Sequence, residues 1–252
     1  MKKIVLWFLP MLMTGCSSLY VPHMANVPLF EEKGETQVAA SLSTNSVQAS
    51  AAYALSEKYA VQLSGGLSYG NFTEYNDIFT KKSDHTVARG ATNIDLTTYG
   101  RYANRYIEAS VGRYNLVPQR NVKIEVFSGV AFGNSQEDSF HSGYGLFFFQ
   151  SCIGKRFRII EWGTSLRLAY SVHGFSWQDT AHTTLHNDFS LCHIEPMAFC
   201  RIGGEHVKFE PKIGLSLPIG FSAYKDLEDR ISDTDYYRTT LLHFSLGVHF
   251  AF

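Results

Sequence analysis

From Thr36 to Phe252 apolar and polar residues alternate with a period of two, broken at intervals by turn-forming and charged runs. A strand sends successive side chains to opposite faces, so this pattern predicts ribbons with one apolar face and one polar or small face. The last stretch, LHFSLGVHFAF, shows it most plainly: Leu242, Phe244, Leu246, Val248, Phe250 and Phe252 share one face, and His243, Ser245, Gly247, His249 and Ala251 the other. The same reading predicts strands that begin near Thr36, Val47, Val61, Thr97, Val122, Phe147, Trp162, Cys192 and His206. The strand over Thr97–Arg113 is expected to carry a bulge near Ala103, where the parity fits poorly, and Pro211 and Pro218 are expected to mark two more.

The connections between these strands fall into two classes. Those at 56–58, 115–121, 158–160 and 203–205 are short, those at 71–95, 134–143, 173–188 and 222–238 are long, and 44–46 is a short exception among the second class. Short turns alternating with long loops at opposite ends describe a transmembrane barrel, whose outer face is apolar and whose lumen is polar. The predicted fold is therefore all-β: an antiparallel outer-membrane β-barrel of about ten strands, over residues 36–252. The alternation does not decide between eight, ten and twelve strands. The soluble alternative is a β-sandwich or a lipocalin-like barrel.

The chain begins MKKIVLWFLPMLMTGCSS, with a basic start at Lys2 and Lys3, an apolar run from Ile4 to Met13, and Thr14 and Gly15 before Cys16. That run is too short to stay in a bilayer as a spanning helix. The arrangement resembles the bacterial lipoprotein signal, which implies cleavage after residue 15 and diacylglycerol on the sulfur of Cys16, with palmitate-type chains as the covalent lipid. Residues 1–15 are then a signal peptide and 16–35 a lipidated tether, where Pro22, Pro28 and Gly34 break any regular periodicity. The tether is expected either to follow the rim of the barrel or to enter its lumen as a small plug. With turns at the periplasmic end, the anchor and the closing strand are both expected on the periplasmic side of the outer membrane.

Composition adds little to this picture except exclusions. The 252 residues carry 22 basic and 23 acidic side chains, a formal net charge of −1, so no broad field exists to attract nucleic acid. The 14 Tyr, 19 Phe and 20 Gly suit strands and turns. Cys152, Cys192 and Cys200 cannot all pair, and none forms a C-x-x-C; they read as apolar fillers.

Candidate chemistry sits in two places. Parity puts Glu108, Lys123, Glu125, Arg156, Arg167, Glu195, Arg201, Lys208, Glu210 and Lys212 inward, where opposed charges would pair as a polar core because an unpaired charge in a narrow lumen is costly. The long loops hold Asp84 with His85, then His182, His186 and Asp188, then Asp233 and Asp235. Acidic and histidine groups at a barrel rim could orient a water or nucleophile only if they converged. His182 and His186 lack a clear third metal ligand, and His243 and His249 are too far apart to form a pair. No P-loop, dinucleotide fingerprint or H-E-x-x-H occurs. No catalytic residue, metal site or cofactor beyond the lipid on Cys16 is assigned.

Recurring stretches YIEASVGRY at Tyr106–Tyr114, FQSCIGKRF at Phe149–Phe157, WGTSLRLAY at Trp162–Tyr170 and FCRIGGEHVKFEPKIGLSL at Phe199–Leu217, with YVPHMANVPLFEEKGE in the tether, resemble small uncharacterised outer-membrane barrel lipoproteins of Bacteroidetes-type bacteria. The resemblance implies fold and location and supplies no catalytic residue. Three function classes follow: a non-enzymatic structural or protein-docking barrel in contact with outer-membrane lipid and other envelope proteins, an enzyme acting on lipid or peptide at the extracellular rim, and a narrow solute or lipid transporter. Aromatics such as Phe72, Tyr75, Phe79, Phe140, Phe175, Trp177, Tyr224, Tyr236 and Tyr237 are expected in the loops as contact residues.

Overall fold

In the computed structural model the described residues are 23–43, 46–74, 97–117, 122–137, 140–178, 184–219 and 242–252. They form β1 (Thr36–Leu42), β2 (Ser46–Ala54), β3 (Tyr59–Glu74), β4 (Thr97–Arg113), β5 (Lys123–Glu137), β6 (Phe140–Arg156), β7 (Ile160–Gln178), β8 (Thr184–Gly203), β9 (Val207–Leu215), β10 (Leu217–Ile219) and β11 (Leu242–Ala251). Each strand pairs antiparallel with its sequence neighbour, and β11 closes the wall between β1 and β9. Segments β9 and β10 are one stave interrupted at Ser216, since both pair with β8 in one unbroken register, Met197↔Gly214 and Leu217↔Ile194. The result is a closed, ten-stranded, all-antiparallel barrel.

The alternation read from the sequence is the alternation between lipid side and lumen. Val38, Leu63, Ile107, Phe132, Phe147, Leu168, Ile213 and Leu246 are exposed on the outside, while Gln37, Gln62, Glu108, Gln150, Arg167 and Glu210 are buried inside. Closure is what lets this pattern work without a second sheet, because it leaves no unpaired strand edge. Near the end that holds Thr36 and Ala251, here the turn end, Tyr53, Tyr59, Phe157 and Trp162 ring the outer surface and the Lys155 ammonium lies 5.9 Å from the Trp162 ring. Aromatic and cationic side chains at that level suit the boundary between acyl chains and headgroups.

Several expectations need correction. The irregularity in β4 is not at Ala103: the β3–β4 register runs evenly from Tyr59↔Arg113 to Asn71↔Arg101 and shifts only between Asn71 and Thr73, opposite Arg101 and Thr98. Neither proline makes a bulge. Pro211 keeps its register against Leu246 and Pro218 against His193; having no N–H, Pro211 leaves only a gap in the β8–β9 ladder between Phe199↔Lys212 and Ile202↔Phe209. The stretches 134–143 and 173–188 are not long loops. Strands β5 and β6 pair as far as Glu137↔Phe140, and β7 and β8 as far as Gln178↔Thr184, so their polar residues extend the wall above the lipid band. Phe72, Phe140, Phe175 and Trp177 are accordingly strand residues.

The wall is uneven. β7 and β8 have 19 and 20 residues, whereas β1 and β2 have 7 and 9 and are joined by a tight connection in which the Ser43 N–H donates to the Ser46 carbonyl, 2.8 Å.

Candidate functional site

The lumen is filled from the turn end by the protein's own residues 23–35. Val27, Leu29 and Phe30 are fully buried there, and with Met24, Ala25, Phe127, Cys152, Met197 and Phe199 they belong to the largest apolar cluster among the described residues. Of the two courses open to the tether, the described part takes the lumen. At its sharpest point Leu29, directly after Pro28, has φ 57, a left-handed conformation that is costly for a branched side chain.

Lumen side chains offset that cost by hydrogen bonding the backbone of the plug. Glu125 accepts from the N–H of Leu29 at 3.1 Å and of Phe30 at 2.7 Å, one on each carboxylate oxygen. Arg201 donates from Nη2 to the Val27 carbonyl at 2.6 Å, and Gln150 from Nε2 to the Asn26 carbonyl at 2.8 Å. Arg156 reaches the Leu29 carbonyl and pairs with Glu35 at the mouth. An irregular segment has no strand partner of its own, so without these groups its buried polar atoms would be stranded.

The remaining inward charges complete two networks. At the turn end Arg201 pairs with Glu210 at 2.6 Å and Glu161 at 3.0 Å, Lys208 with Glu161 at 2.7 Å, Arg156 with Glu161 at 3.1 Å, and Lys212 with Glu210 at 2.9 Å. Higher up, Arg167 forks onto Glu108 at 2.9 and 3.1 Å and also donates to Gln150. His23 crowns the plug: its Nδ1 lies 3.3 Å from Glu108, its Nε2 2.8 Å from the Tyr144 hydroxyl, and its ring stacks on Tyr106 at 3.3 Å. Burial holds the His23 imidazole below the ordinary histidine pKa, outweighing the pull of Glu108 in the other direction. Lys123 is nearer solvent, 3.2 Å from Glu31.

Five further polar lumen side chains form a chain of hydrogen-bond contacts. His173 Nε2 is 2.8 Å from Ser171 Oγ, Ser171 is 3.4 Å from His193 Nε2, His193 Nδ1 is 3.4 Å from Ser216 Oγ, and Ser216 donates to Glu195 at 3.1 Å. A serine beside a histidine is the pairing nucleophilic catalysis uses, but here the second ring nitrogen meets a hydroxyl instead of an acidic orienter. A cavity of about 10 Å³, room for one water, lies between His23 and Ala25 on one side and Arg167, Glu195, Met197, Gly214 and His243 on the other.

Of the rim groups singled out in the sequence, Asp84, His85, His182, Asp233 and Asp235 lie outside the described residues, as does Cys16. His186 and Asp188 fall on β8, opposite Ser176 and Gly174. Among the described residues no cluster of histidine, cysteine or acidic groups could hold a metal. Cys152 is buried in the lumen; Cys192 and Cys200 are on the outward face. Glu161 and His173 escaped the inward set read from the sequence, whereas parity had already put His193 inward beside Glu195, where it is buried. Extending the parity of β7 back from Gly163 and forward from Ser171 places Glu161 and His173 inward, so that signal was present. The grip on the plug backbone left no such signal, because it joins residues 95 or more positions apart.

No family model and no curated protein matches this chain. Among solved structures, it is similar to the outer membrane protease OmpT from Escherichia coli, at 8% identity over 87% of this chain and 93% of that one, with a TM-score of 0.51. It also aligns with a major outer membrane protein from Thermus thermophilus, at 11% identity over 87% and 98%, TM-score 0.28. A third match, the copper transporter OprC, is 10% identical over 88% of this chain and 42% of that one, TM-score 0.25. At such identities the first likeness speaks for the fold alone, and it agrees with the ten-stranded closed wall and apolar outer face. The chain is an outer-membrane β-barrel protein.

Proposed function

We propose that this barrel is a plugged, lipid-anchored envelope component with a structural or protein-docking role, and neither an open channel nor a rim enzyme. The observation that carries the reading is the clamp of Glu125, Gln150 and Arg201 on the backbone of residues 26–30, which fills the lower lumen with protein. In this reading Cys16 bears the lipid, the turn end faces the periplasm, and the loop end offers the contact surface. Purified protein in planar bilayers should show no steady conductance. A persistent ohmic conductance from the intact chain would sink the plugged reading. Photocrosslinkers placed in the 220–241 connection should give a discrete adduct with another envelope protein in intact cells; only diffuse or lipid adducts would count against docking.

A second reading rests on the Ser171–His193 contact, which would make the upper lumen a hydrolytic site. Its test is covalent labelling by a fluorophosphonate, lost in Ser171→Ala; an unlabelled wild type removes it.

A further inference from the structure

The clamp on residues 26–30 comes from β5, β6 and β8, and the other side of the lumen is built differently. Up to Ser68 the inward positions of β1, β2 and β3 carry only Ala, Gly, Ser and Gln, with no charge. Their burial is uneven. Ser46, Ala52 and Ala54 are buried, but Gln48 and Ser50 between them, on the same lumen face of β2, are half-buried. An inward side chain partway along a stave gains that exposure from open space inside the wall, so the lumen is not filled beside these two.

Around that space buried side chains hold polar atoms with no hydrogen-bond partner among the described residues. Gln37 on β1 and Gln62 on β3 flank Ala52, the register partner of both. They are 1% and 6% exposed, and Gln37 Oε1 and Gln62 Nε2 are unpartnered. The Gln37 amide is not free to turn round, because its Nε2 donates to Glu35 at 2.7 Å. His249 on β11, buried with Nδ1 unpartnered, is opposite Ala39, and Ala39 is opposite Ser50. Two strand spacings, about 10 Å, separate β1 from β3, with only the Ala52 methyl between the two amides. An orphaned acceptor and an orphaned donor thus stand on either side of a shallow floor. Buried polar atoms are costly without partners, and several on one wall point to a polar occupant.

We infer that the lumen beside the plug is a binding site for a small uncharged polyhydroxylated molecule, a monosaccharide or polyol, held by Gln37, Gln62 and His249 with the hydroxyls of Ser50 and Ser64. Neighbouring hydroxyls both donate and accept, so one donates to Gln37 Oε1 while another accepts from Gln62 Nε2. An ion fits poorly, because a neutral wall does not offset its loss of water. The nearest charges are already engaged: Glu108, opposite Ser64, with Arg167, and Lys208, opposite His249, with Glu161. The approach is from the loop end, where β1 and β2 stop at Leu42 and Ser46, two residues from Gln48. Asn104, opposite Ser68 near that lip, is 2% exposed with both amide atoms unpartnered, and it offers a donor and an acceptor on the way in. Binding needs no path through the barrel, so the site goes beyond the plugged, docking reading and does not depend on it.

The test uses the full chain folded in a detergent without a sugar headgroup, with glucose as the probe and saturation-transfer NMR as the readout. Transfer to the glucose ring protons should saturate with concentration. In Gln62→Leu the apparent affinity should fall about tenfold, the loss of one hydrogen bond to a buried hydroxyl, and in Ser50→Phe, which fills the space, transfer should disappear. Val47→Ala, on the outer face of the same strand, should bind as the wild type does. Each variant is scored only with its heat-modifiable band intact, and Ser50→Leu replaces Ser50→Phe if that band is lost. Sodium chloride at about 0.5 M should leave binding unchanged, since no charge takes part. Transfer that does not saturate, that is equal in the wild type and Gln62→Leu, or that salt abolishes overturns the proposal; the unpartnered atoms then hold water alone.

Discussion

The backbone N–H of Phe30 lies 2.7 Å from Oε1 of Glu125, a carboxylate with no exposure to solvent that also accepts from Leu29. A single inward side chain thus fixes two consecutive residues of an irregular segment, one of them in a left-handed conformation. Glu125→Ala strands two buried donors, each costing about 1–3 kcal/mol. Glu125→Gln keeps acceptor capacity on one oxygen and should lose less. Urea unfolding in detergent should rank the proteins wild type, Gln, Ala, and limited proteolysis should cut within 23–35 first in the Ala variant.

Arg201 joins the wall to the plug. It pairs with Glu210 and Glu161 and donates to the Val27 carbonyl. Removing one partner of a buried ionic group is the expensive change, about 3–5 kcal/mol, because the other charges stay behind. Arg201→Ala should reach that range by equilibrium unfolding, and Arg201→Ala combined with Glu210→Ala should recover part of it. If the double variant is the weaker by the sum of both losses, the two side chains do not act as a pair.

These two residues also show what the sequence could disclose. Parity alone put Glu125 and Arg201 inward, since period two carries no ambiguity once one face meets lipid. Strand ends were less legible: His141 and Ser176 look like loop chemistry yet pair on extended staves, because above the lipid band a strand no longer needs an apolar face. Least legible was the plug. Its MANVPLF stretch has no period, and its conformation is set by groups far away in the chain, a tertiary effect that local pattern cannot express.

Gly154 marks where the plug touches the wall. A Cβ built there would lie 2.8 Å from Leu29 Cδ1 and 2.9 Å from the Trp162 carbonyl. The carbonyl belongs to the ladder and cannot retreat, so that contact remains, whereas the Leu29 side chain can move. Gly154→Val should destabilise the protein by about 1–3 kcal/mol through overpacking, and Leu29→Ala should relieve part of that loss. Additive effects in the double-mutant cycle would show that the two sites are independent.

Outside the barrel it is the introduction of a charge, not its removal, that is costly. Leu168 is exposed on the outer face of β7, and Arg167 beside it is buried in the lumen. Leu168→Lys should cost about 2–4 kcal/mol near the bilayer midplane in liposomes and much less in a short-chain detergent that hydrates the site. Equal losses in both media would mean that this face does not meet acyl chains.

His23 gives the plug a dependence on pH. Its imidazole is held below the ordinary value of 6.5 by burial, while an unfolded or undocked segment titrates at that value. The docked state therefore binds fewer protons than the undocked one, so docking is fully favourable above about pH 6.5 and weakens as pH falls through it. The groups facing His23 oppose each other: Glu108 favours its protonation and Arg167 disfavours it, and they are already paired with one another. Proteolytic cutting within 23–35 should rise between pH 7.5 and pH 5.5 in the wild type. His23→Gln keeps a hydrogen-bonding side chain and does not titrate, so its cutting should change less over the same range. An identical pH response in both proteins would place the titrating group elsewhere in the lumen.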